Sequence, residues 1–438
     1  QNAEFWWVSV TACLSKVVDC LGDKVGAVAA LAVDATSGTV VCLDDVGSPV
    51  RPALMYNDSR SELEAQELCE VAAEHCDRHG YRFTSSFGAA KIMWLIRNEP
   101  DTVTRTRWFC HQADFIVGRL TGELGITDYS NALKTGYDLF NRCWPPWIDT
   151  FGNIRDRLPK VISPGERVGE LSSAAVSRFG LPNRLVVVAG ATDGTTGFLA
   201  SGAHRVGDDN TTLGTTLVFK RLVESPIADE KSLLYSHRLP GGYWLPGAAS
   251  NTGAEWIRKF YDNKNPADLD EQARQLLPSE LVAYPLARTG ERFPFFAPTA
   301  EGFCEPDTVN ELERYAANLQ GVAFTERLGY EILNTATDVN CGDVFATGAA
   351  ARSNTWLQLR ADVTGRTIHR PTHPESAFGS AVLAATTEQK DIWANARAMV
   401  QIERSFVPQG KYASVYEERF AKLKCLLEQR GYLSGKIK

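Results

Sequence analysis

The feature that most constrains this chain is an apolar run that ends in a turn of very small residues with one acid. The run is Leu185–Gly197, LVVVAGATDGTTG, and the acid is Asp193. Four aliphatic residues followed by turn residues predict a buried strand. Ligands of open α/β sheets gather where strands end, so a carboxylate in this turn could take a proton from a substrate hydroxyl. An Asp that closes the turn or caps the next helix is the alternative.

Two further small-residue turns are candidates for holding phosphate or nucleotide groups. Thr212–Thr216, TLGTT, offers backbone N–H groups and hydroxyls. Gly348–Trp356, GAAARSNTW, is typical of a strand-to-helix turn that could admit a nucleotide. A plain hairpin turn and close helix packing are the respective alternatives. The sequence contains neither GxxxxGK[ST] nor GxGxxG, so neither common nucleotide fingerprint applies. It contains no GxSxG either, which removes support for a serine hydrolase.

Composition limits the class of protein. A length of 438 residues predicts two domains. A net charge of -7 gives no reason to expect nucleic-acid binding. The longest apolar runs are shorter than the ~18 residues of a bilayer span, so we expect no membrane partner. The 10 cysteines are scattered without a CxxC pair, which favours reduced thiols over a disulfide framework.

Local patterns predict an α/β architecture, because strand-like and helix-like segments alternate along the chain. A helix is expected over Ala3–Leu21, a buried strand over Val28–Val33 and a long amphipathic helix over Asn310–Ala336. His75 and His79 have the spacing of metal ligands on one helix. The charged residues around them favour a solvated helix, and we predict no metal there.

Taken in order, the segments of this chain resemble the FGGY carbohydrate kinases. The resemblance is carried by RPALMYNDSR, HQADFIVGRLTG, TDYSNALKTGYD, GATDGTTGFLASGAH, TLGTT, GAASNTG, GAAARSNTW and ESAFGSAVLAA. Within the family, xylulokinases usually carry a Met-His pair where this chain has the turn of AVDATSGT. That turn is similar to the branch of D-ribulokinases and xylulose-kinase-like proteins of plants and cyanobacteria.

The resemblance implies a fold of two ribonuclease-H-like (actin-like ATPase) domains with an interdomain cleft. The sugar-binding domain would be residues 1–200 and the nucleotide-binding domain residues 201–438. The helical segment 375–395 would pack back on the first domain. The family's first strand and phosphate loop would precede Gln1, so we expect the sequence to be a fragment of a longer protein.

The resemblance also implies an activity: phosphorylation of a ketopentose by ATP with Mg²⁺, most directly D-ribulose to D-ribulose 5-phosphate. It assigns general-base catalysis to Asp193 and sugar contacts to Asp193, Thr36 and Ser37, and it assigns no protein metal ligand. The residues that would contact ATP are Gly214 and Thr215 at the phosphates, and Gly348, Ala349, Ser353 and Trp356 at the adenosine. The protein would be a monomer or homodimer, cytoplasmic or plastid.

One departure from the family pattern keeps alternatives open. The family mostly has GGGA where this chain has GAAA, and the methyl groups of Ala349 and Ala350 would restrict positive φ. If the nucleotide needs a bare backbone there, its affinity would fall. The alternatives are a catalytically impaired sugar-binding or regulatory homologue, and a kinase for another sugar or polyol, such as xylulose or ribitol.

Overall fold

The computed structural model describes residues 1–227, 233–387 and 391–433, and it divides the chain into two compact units. Unit 1 comprises residues 1–200, 237–243 and 375–399. Unit 2 comprises residues 201–236, 244–374 and 400–438. The sequence-based division after residue 200 coincides with the first boundary between the units. It did not include the short return of residues 237–243 to unit 1.

Unit 1 is built from short strands covered by helices. Its strands are β1 (Ala30–Ala32), β2 (Val41–Leu43), β3 (Trp108–Cys110), β4 (Ile126–Asp128), β5 (Lys160–Ile162), β6 (Arg167–Glu170) and β7 (Val186–Val188). They form a three-stranded sheet of order β1-β7-β6 and the pairs β2-β3 and β4-β5. Its helices are α1 (Ala3–Leu21), α2 (Glu62–Val71), α3 (Ala73–His79), α4 (Gly88–Asn98), α5 (Pro100–Arg105), α6 (Gln112–Thr121), α7 (Tyr129–Ala132), α8 (Ser173–Phe179), α9 (Asp193–Ser201), and later α14 (Ser376–Ala384) and α15 (Ile392–Met399).

Unit 2 is organised around one mixed sheet. Its strands are β8 (Asp209–Leu213), β9 (Leu217–Arg221), β10 (Tyr235–Arg238), β11 (Trp244–Ser250), β12 (Val282–Tyr284), β13 (Phe303–Glu305), β14 (Val344–Thr347), β15 (Ile368–Pro371) and β16 (Ile402–Phe406). The last two residues of β10 belong to unit 1. Seven of them form a sheet of order β10-β11-β9-β8-β14-β15-β16, and β12 pairs with β13. Its helices are α10 (Glu255–Tyr261), α11 (Pro266–Ala273), α12 (Glu311–Ala336), α13 (Asn354–Thr364) and α16 (Ala413–Gln429).

The parallel pairs of strands are the ones that position the candidate sites. In unit 1, β1 runs parallel to β7, with Ala32 opposite Val188. In unit 2, β14 runs parallel to β8, with Thr347 opposite Thr212. Because parallel strands end at the same edge of a sheet, the turns that follow each pair lie side by side. Each unit therefore presents two neighbouring small-residue turns.

A buried ion pair links the central strands β8 and β9 of unit 2. The side chains of Asp209 and Arg221 are fully buried, and the Arg221 Nη2 atom lies 2.7 Å from Asp209 Oδ2. Arg366 Nη1 approaches the same oxygen at 2.5 Å. Arg221 Nη1 also donates to the Thr337 hydroxyl at 2.9 Å. The buried carboxylate is thus fully paired, which buried charges require.

The predicted helices agree with the structure more closely than the predicted strand does. The helix α1 has the predicted bounds, and α12 begins directly after its N-cap, Asn310, whose side chain accepts from two backbone N–H groups. The strand expected over residues 28–33 is only three residues long and half-buried. The segment 375–395 holds two helices, α14 and the start of α15, and its residues 388–390 lie outside the described part.

The N-terminal helical segment is more apolar than the search for continuous apolar runs indicated. The helical segment Ala3–Ala27 is long and apolar enough to cross a membrane by these criteria alone. Its inner face nevertheless contributes to the core of unit 1, through Trp6, Trp7 and other partly buried hydrophobic residues. Three of its large hydrophobic residues, Phe5, Val8 and Val17, are exposed.

Candidate functional site

The catalytic candidate Asp193 is the first residue of α9, directly after the turn that follows β7. Its backbone N–H donates to the Ala35 carbonyl oxygen at 2.9 Å. One carboxylate oxygen, Oδ1, accepts from the Gly194 N–H at 2.6 Å, and the side chain is exposed. The positive end of a helix dipole favours an acid at this position. The second carboxylate oxygen therefore remains accessible to a ligand.

The substrate-side candidates Thr36 and Ser37 lie next to this turn. They follow β1, and an isolated bridge joins Ala35 to Thr192. The Thr36 hydroxyl donates to Gln112 Oε1 at 2.8 Å. The parallel pairing of β1 and β7 therefore brings the three unit 1 candidates to one edge of the sheet.

Gln112 is a member of this site that the sequence analysis did not single out. It begins α6, in the segment HQADFIVGRL, directly after the buried His111. The His111 ring is held on both sides, with Nε2 2.8 Å from the Thr135 hydroxyl and Nδ1 2.8 Å from Asp114 Oδ2. These two contacts hold His111 at the start of α6, and the neighbouring Gln112 orients the Thr36 hydroxyl.

A buried carboxylate supports the Asp193 turn from behind. Asp128 Oδ1 accepts from the Ser130 hydroxyl at 2.6 Å, and Ser130 Oγ accepts the Thr192 N–H at 2.8 Å. Burial raises the pKa of Asp128, although hydrogen bonds from Ser130 and Asn131 oppose the shift. The segment TDYSNALKTGYD contributes to the family resemblance, but its sequence does not reveal that it holds the turn before Asp193.

In unit 2, the candidates Gly214 and Thr215 form the tight turn between β8 and β9. The Gly214 N–H donates to the Thr216 carbonyl at 3.0 Å, as in a hairpin turn. Thr215 is exposed, so its side chain is open to a ligand. The hairpin interpretation and the phosphate-binding interpretation are therefore compatible.

Gly348 follows β14 and lies against the end of β8. Its φ is +87°, and a Cβ atom there would lie 2.5 Å from the Leu213 carbonyl oxygen. Only glycine fits such a position. Ala349 and Ala350 continue into a 3₁₀ turn without positive φ, so their methyl groups do not strain the backbone there. Their effect on nucleotide affinity stays a prediction.

The remaining adenosine candidates have clear structural roles as well. Ser353 is the N-cap of α13, and its hydroxyl accepts the Trp356 N–H at 3.0 Å. The Trp356 ring is buried, and its Nε1 donates to the Leu319 carbonyl at 3.0 Å. Both residues nevertheless line a cavity, together with Ala349 and Asp270.

This cavity of about 810 Å³ is large enough for a nucleoside. Its wall also includes Ala254, whose N–H donates to the Gly214 carbonyl at 2.8 Å. Asp270 at the wall accepts from the Tyr315 hydroxyl at 2.7 Å, and burial raises its pKa. Through Ala254, the wall of the cavity is hydrogen-bonded to the Gly214 turn.

The prediction of a solvated histidine pair is wrong. His75 and His79 are buried, at 7% and 3% exposure, and their rings stack with centroids 4.0 Å apart. His75 Nε2 lies 2.8 Å from the Tyr81 hydroxyl, inside an aromatic cluster with Phe83 and Trp147. Within residues 1–227, 233–387 and 391–433, no group of three His, Cys, Asp or Glu side chains is arranged to hold a metal.

Comparison with known proteins identifies the family. The sequence matches the N-terminal domain of the FGGY family of carbohydrate kinases over residues 1–200 and its C-terminal domain over residues 210–388. The chain belongs to the FGGY carbohydrate kinases. The resemblance seen in the motifs is confirmed, and so is the fold of two FGGY domains.

Individual relatives fall within the same family. A xylulose kinase from Lactococcus lactis is 26% identical over 440 residues, which cover 95% of this chain and 86% of that relative. A gluconokinase from Bacillus subtilis is 24% identical over 79% of this chain and 71% of its own length. The solved xylulose kinase from Rhodospirillum rubrum superposes with a TM-score of 0.86 at 24% identity, over 98% of this chain and 90% of that one.

Family membership makes this FGGY protein a carbohydrate kinase, a phosphotransferase with an alcohol group as acceptor. Its two substrates are a sugar and ATP. The prediction of a sugar kinase is therefore confirmed at this level.

Proposed function

We propose that the protein transfers the γ-phosphoryl group of ATP to the terminal hydroxyl of a ketopentose, with D-ribulose as the first candidate. The observation that carries the proposal is the position of Asp193, exposed at the start of α9 and bonded through its N–H to the turn that contains Thr36 and Ser37. A sugar hydroxyl held by that turn would lie within reach of the free carboxylate oxygen.

In the proposed reaction, Asp193 takes the proton of the hydroxyl as the oxygen attacks the γ-phosphorus. The new O–P bond forms as the bond to the β-phosphate oxygen breaks, and ADP leaves. The proton then passes from Asp193 to water. Because the transition state is loose, catalysis depends mainly on positioning and on neutralising charge. Thr36 and Ser37 would orient the sugar, and Gly214 and Thr215 would hold the phosphates.

Mg²⁺ enters this proposal as part of the MgATP substrate. Among the described residues, no three metal-ligating side chains are grouped to hold an ion. Mg²⁺ bound to substrate phosphates commonly keeps several of its waters and takes only one or two carboxylate ligands from the protein. The ion would supply neutralisation of phosphate charge. No protein residue is assigned to it.

The choice of D-ribulose rests on the turn of AVDATSGT, which is similar to that of the D-ribulokinase branch. Xylulose kinases among the relatives make D-xylulose the matched competitor. A coupled ADP-release assay should therefore compare D-ribulose, D-xylulose and ribitol. If none of the sugars or polyols of such a panel stimulates ADP release, the proposal is wrong.

Asp193→Asn tests the assigned base. Positioned general bases contribute roughly 10²–10⁴-fold, so kcat should fall by that factor while sugar binding persists. The matched control is Asp45→Asn, which removes an exposed carboxylate from another turn of unit 1. Equal activity of Asp193→Asn and wild type would refute the assignment.

The second candidate is a homologue that binds sugar without phosphorylating it. The observation that favours it is that Ala349 and Ala350, in place of glycines, line the nucleotide-side cavity. Sugar would then raise the thermal stability of the protein, while titration calorimetry would detect no ATP binding. ATP binding together with sugar-dependent ADP release excludes it.

A further inference from the structure

The most heavily hydrogen-bonded carboxylate near the candidate nucleotide turns is Glu291. It is 2% exposed and lies in the segment RTGERFP, outside all the predicted site residues. Its backbone is fixed by reciprocal bonds to Ala297, since each N–H donates to the other's carbonyl at 2.9 Å. The carboxylate is therefore held in place by its own loop and aimed at the end of β11.

Six hydrogen bonds of 3.2 Å or less converge on this carboxylate. They are donated by Ser250 Oγ, Asn251 N, Thr252 N, Thr252 Oγ1, Tyr284 OH and Arg292 N. Four of them come from the three consecutive residues that follow or end β11. Hydrogen bonds to an ionised acceptor are stronger than neutral ones. The path of residues 250–252 is thus dictated by Glu291.

This path continues directly into the phosphate-side turn. Ala254 donates its N–H to the Gly214 carbonyl at 2.8 Å. A Cβ atom on Gly253 would lie 2.4 Å from the Thr215 carbonyl oxygen. The loop after β11 therefore touches both candidate phosphate-binding residues, with no room between the two backbones.

We propose that Glu291 is a positioning residue, which fixes the Gly214–Thr215 turn for the phosphates of ATP through the loop of residues 250–254. The inference rests on the proposed role of that turn. Glu291 itself touches no substrate. Loss of its charge should loosen the loop, shift the turn, and weaken the grip on phosphates while leaving adenosine and sugar recognition intact.

The test compares ADP with adenosine, because the two differ only in the phosphates. Both affinities are measured by titration calorimetry on the full chain, wild type and Glu291→Gln. The amide keeps the size of the side chain but converts one acceptor oxygen into a donor. We expect the affinity for ADP to fall about tenfold or more, as one lost charged contact of this kind does, and the affinity for adenosine to change less than twofold.

Two further variants separate positioning from general destabilisation. Tyr284→Phe removes a single donor to Glu291 and should lower ADP affinity in the same direction by a smaller factor; it serves if Glu291→Gln does not fold. Glu326→Gln is the matched control, because Glu326 is a fully buried carboxylate of unit 2 paired with Arg360. It should lower the melting temperature without changing the ratio of ADP to adenosine affinity.

The outcomes distinguish this inference from the proposed function. If wild-type protein binds ADP no more tightly than adenosine, the Gly214–Thr215 turn holds no phosphate, and the proposed nucleotide site fails. If wild type prefers ADP and both Glu291→Gln and Tyr284→Phe keep the full preference, the positioning role of Glu291 is refuted. A loss of preference in Glu291→Gln, or a smaller loss in Tyr284→Phe, with Glu326→Gln unchanged, supports it.

Discussion

The buried histidine pair predicts that the stability of unit 1 falls in mild acid. Burial lowers the pKa of His75 from 6.5 to about 3, and the neighbouring His79 adds to the shift. Burial also lowers the pKa of His79 itself. Its Nδ1 lies 2.9 Å from the His75 carbonyl oxygen, and its Nε2 accepts the Leu139 N–H at 3.3 Å. Both rings are therefore built into the fold in their neutral forms.

The size of the effect follows from the difference between the two states. The unfolded chain binds a proton at His75 below about pH 6.5, whereas the folded chain does so only near the lowered pKa. The stability that neutral His75 contributes is thus complete above that upper value and is lost as the pH falls toward the lower one. Between these two pKa values, each unit by which the pH falls lowers the free energy of unfolding by about 1.4 kcal/mol. Going from about pH 7.5 to about pH 5 should remove about 2 kcal/mol through His75.

The assay is urea unfolding at the two pH values, followed by tryptophan fluorescence. Trp147 is a local reporter, because its ring lies 5.5 Å from that of His75. His75→Phe replaces the titrating ring by one that suits the aromatic cluster. Between the two pH values, wild type should therefore lose about 2 kcal/mol more free energy of unfolding than His75→Phe. His373→Gln, at an exposed histidine, is the control and should behave as wild type.

The reasoning is refuted if wild type and His75→Phe lose the same free energy of unfolding between the two pH values. A difference that appears equally in His373→Gln would also refute it, because the loss would then not depend on burial.

Three other perturbations have definite expected outcomes. Gly190→Ala should lower stability by about 2 kcal/mol or more and reduce kcat, because a Cβ atom there would lie 1.8 Å from the Val33 carbonyl oxygen; an unchanged melting curve would contradict this. Asp209→Ala leaves Arg221 and Arg366 without their buried partner, and we expect a loss of about 3–5 kcal/mol, measured by urea unfolding. Chelation of divalent cations should abolish turnover, and added Mg²⁺ should restore it; turnover that survives chelation would argue against MgATP as the substrate.

The small-residue turns could be predicted because local sequence determines them. Asp193 and Gly348 follow the apolar strands β7 and β14, and Gly214 stands in a turn of small residues directly before the apolar start of β9. The positive φ of Gly348 and the acid Asp193 at the start of a helix both reflect local preferences. A few neighbouring residues were therefore enough to identify each of these three as a candidate.

The supporting residues could not be predicted in the same way. The contact between Thr36 and Gln112 joins residues 76 positions apart, and Glu291 contacts a loop 39 to 41 positions before it. No local pattern reveals such pairs. The burial of His75 and His79 was missed for a related reason. The charged residues of α3 lie on its outer face, whereas the burial of its inner face depends on contacts with residues distant in the sequence.

The return of two segments to unit 1 has a consequence for how the protein is made. Unit 1 includes residues 375–399, and α14 packs on β1 from that late segment. During synthesis from the N-terminus, the ribosome must therefore translate all of residues 201–374 before the first unit has its complete set of elements. Contacts of such high sequence separation form slowly. Until residues 375–399 have been translated, β1 lacks the helix α14 that packs on it.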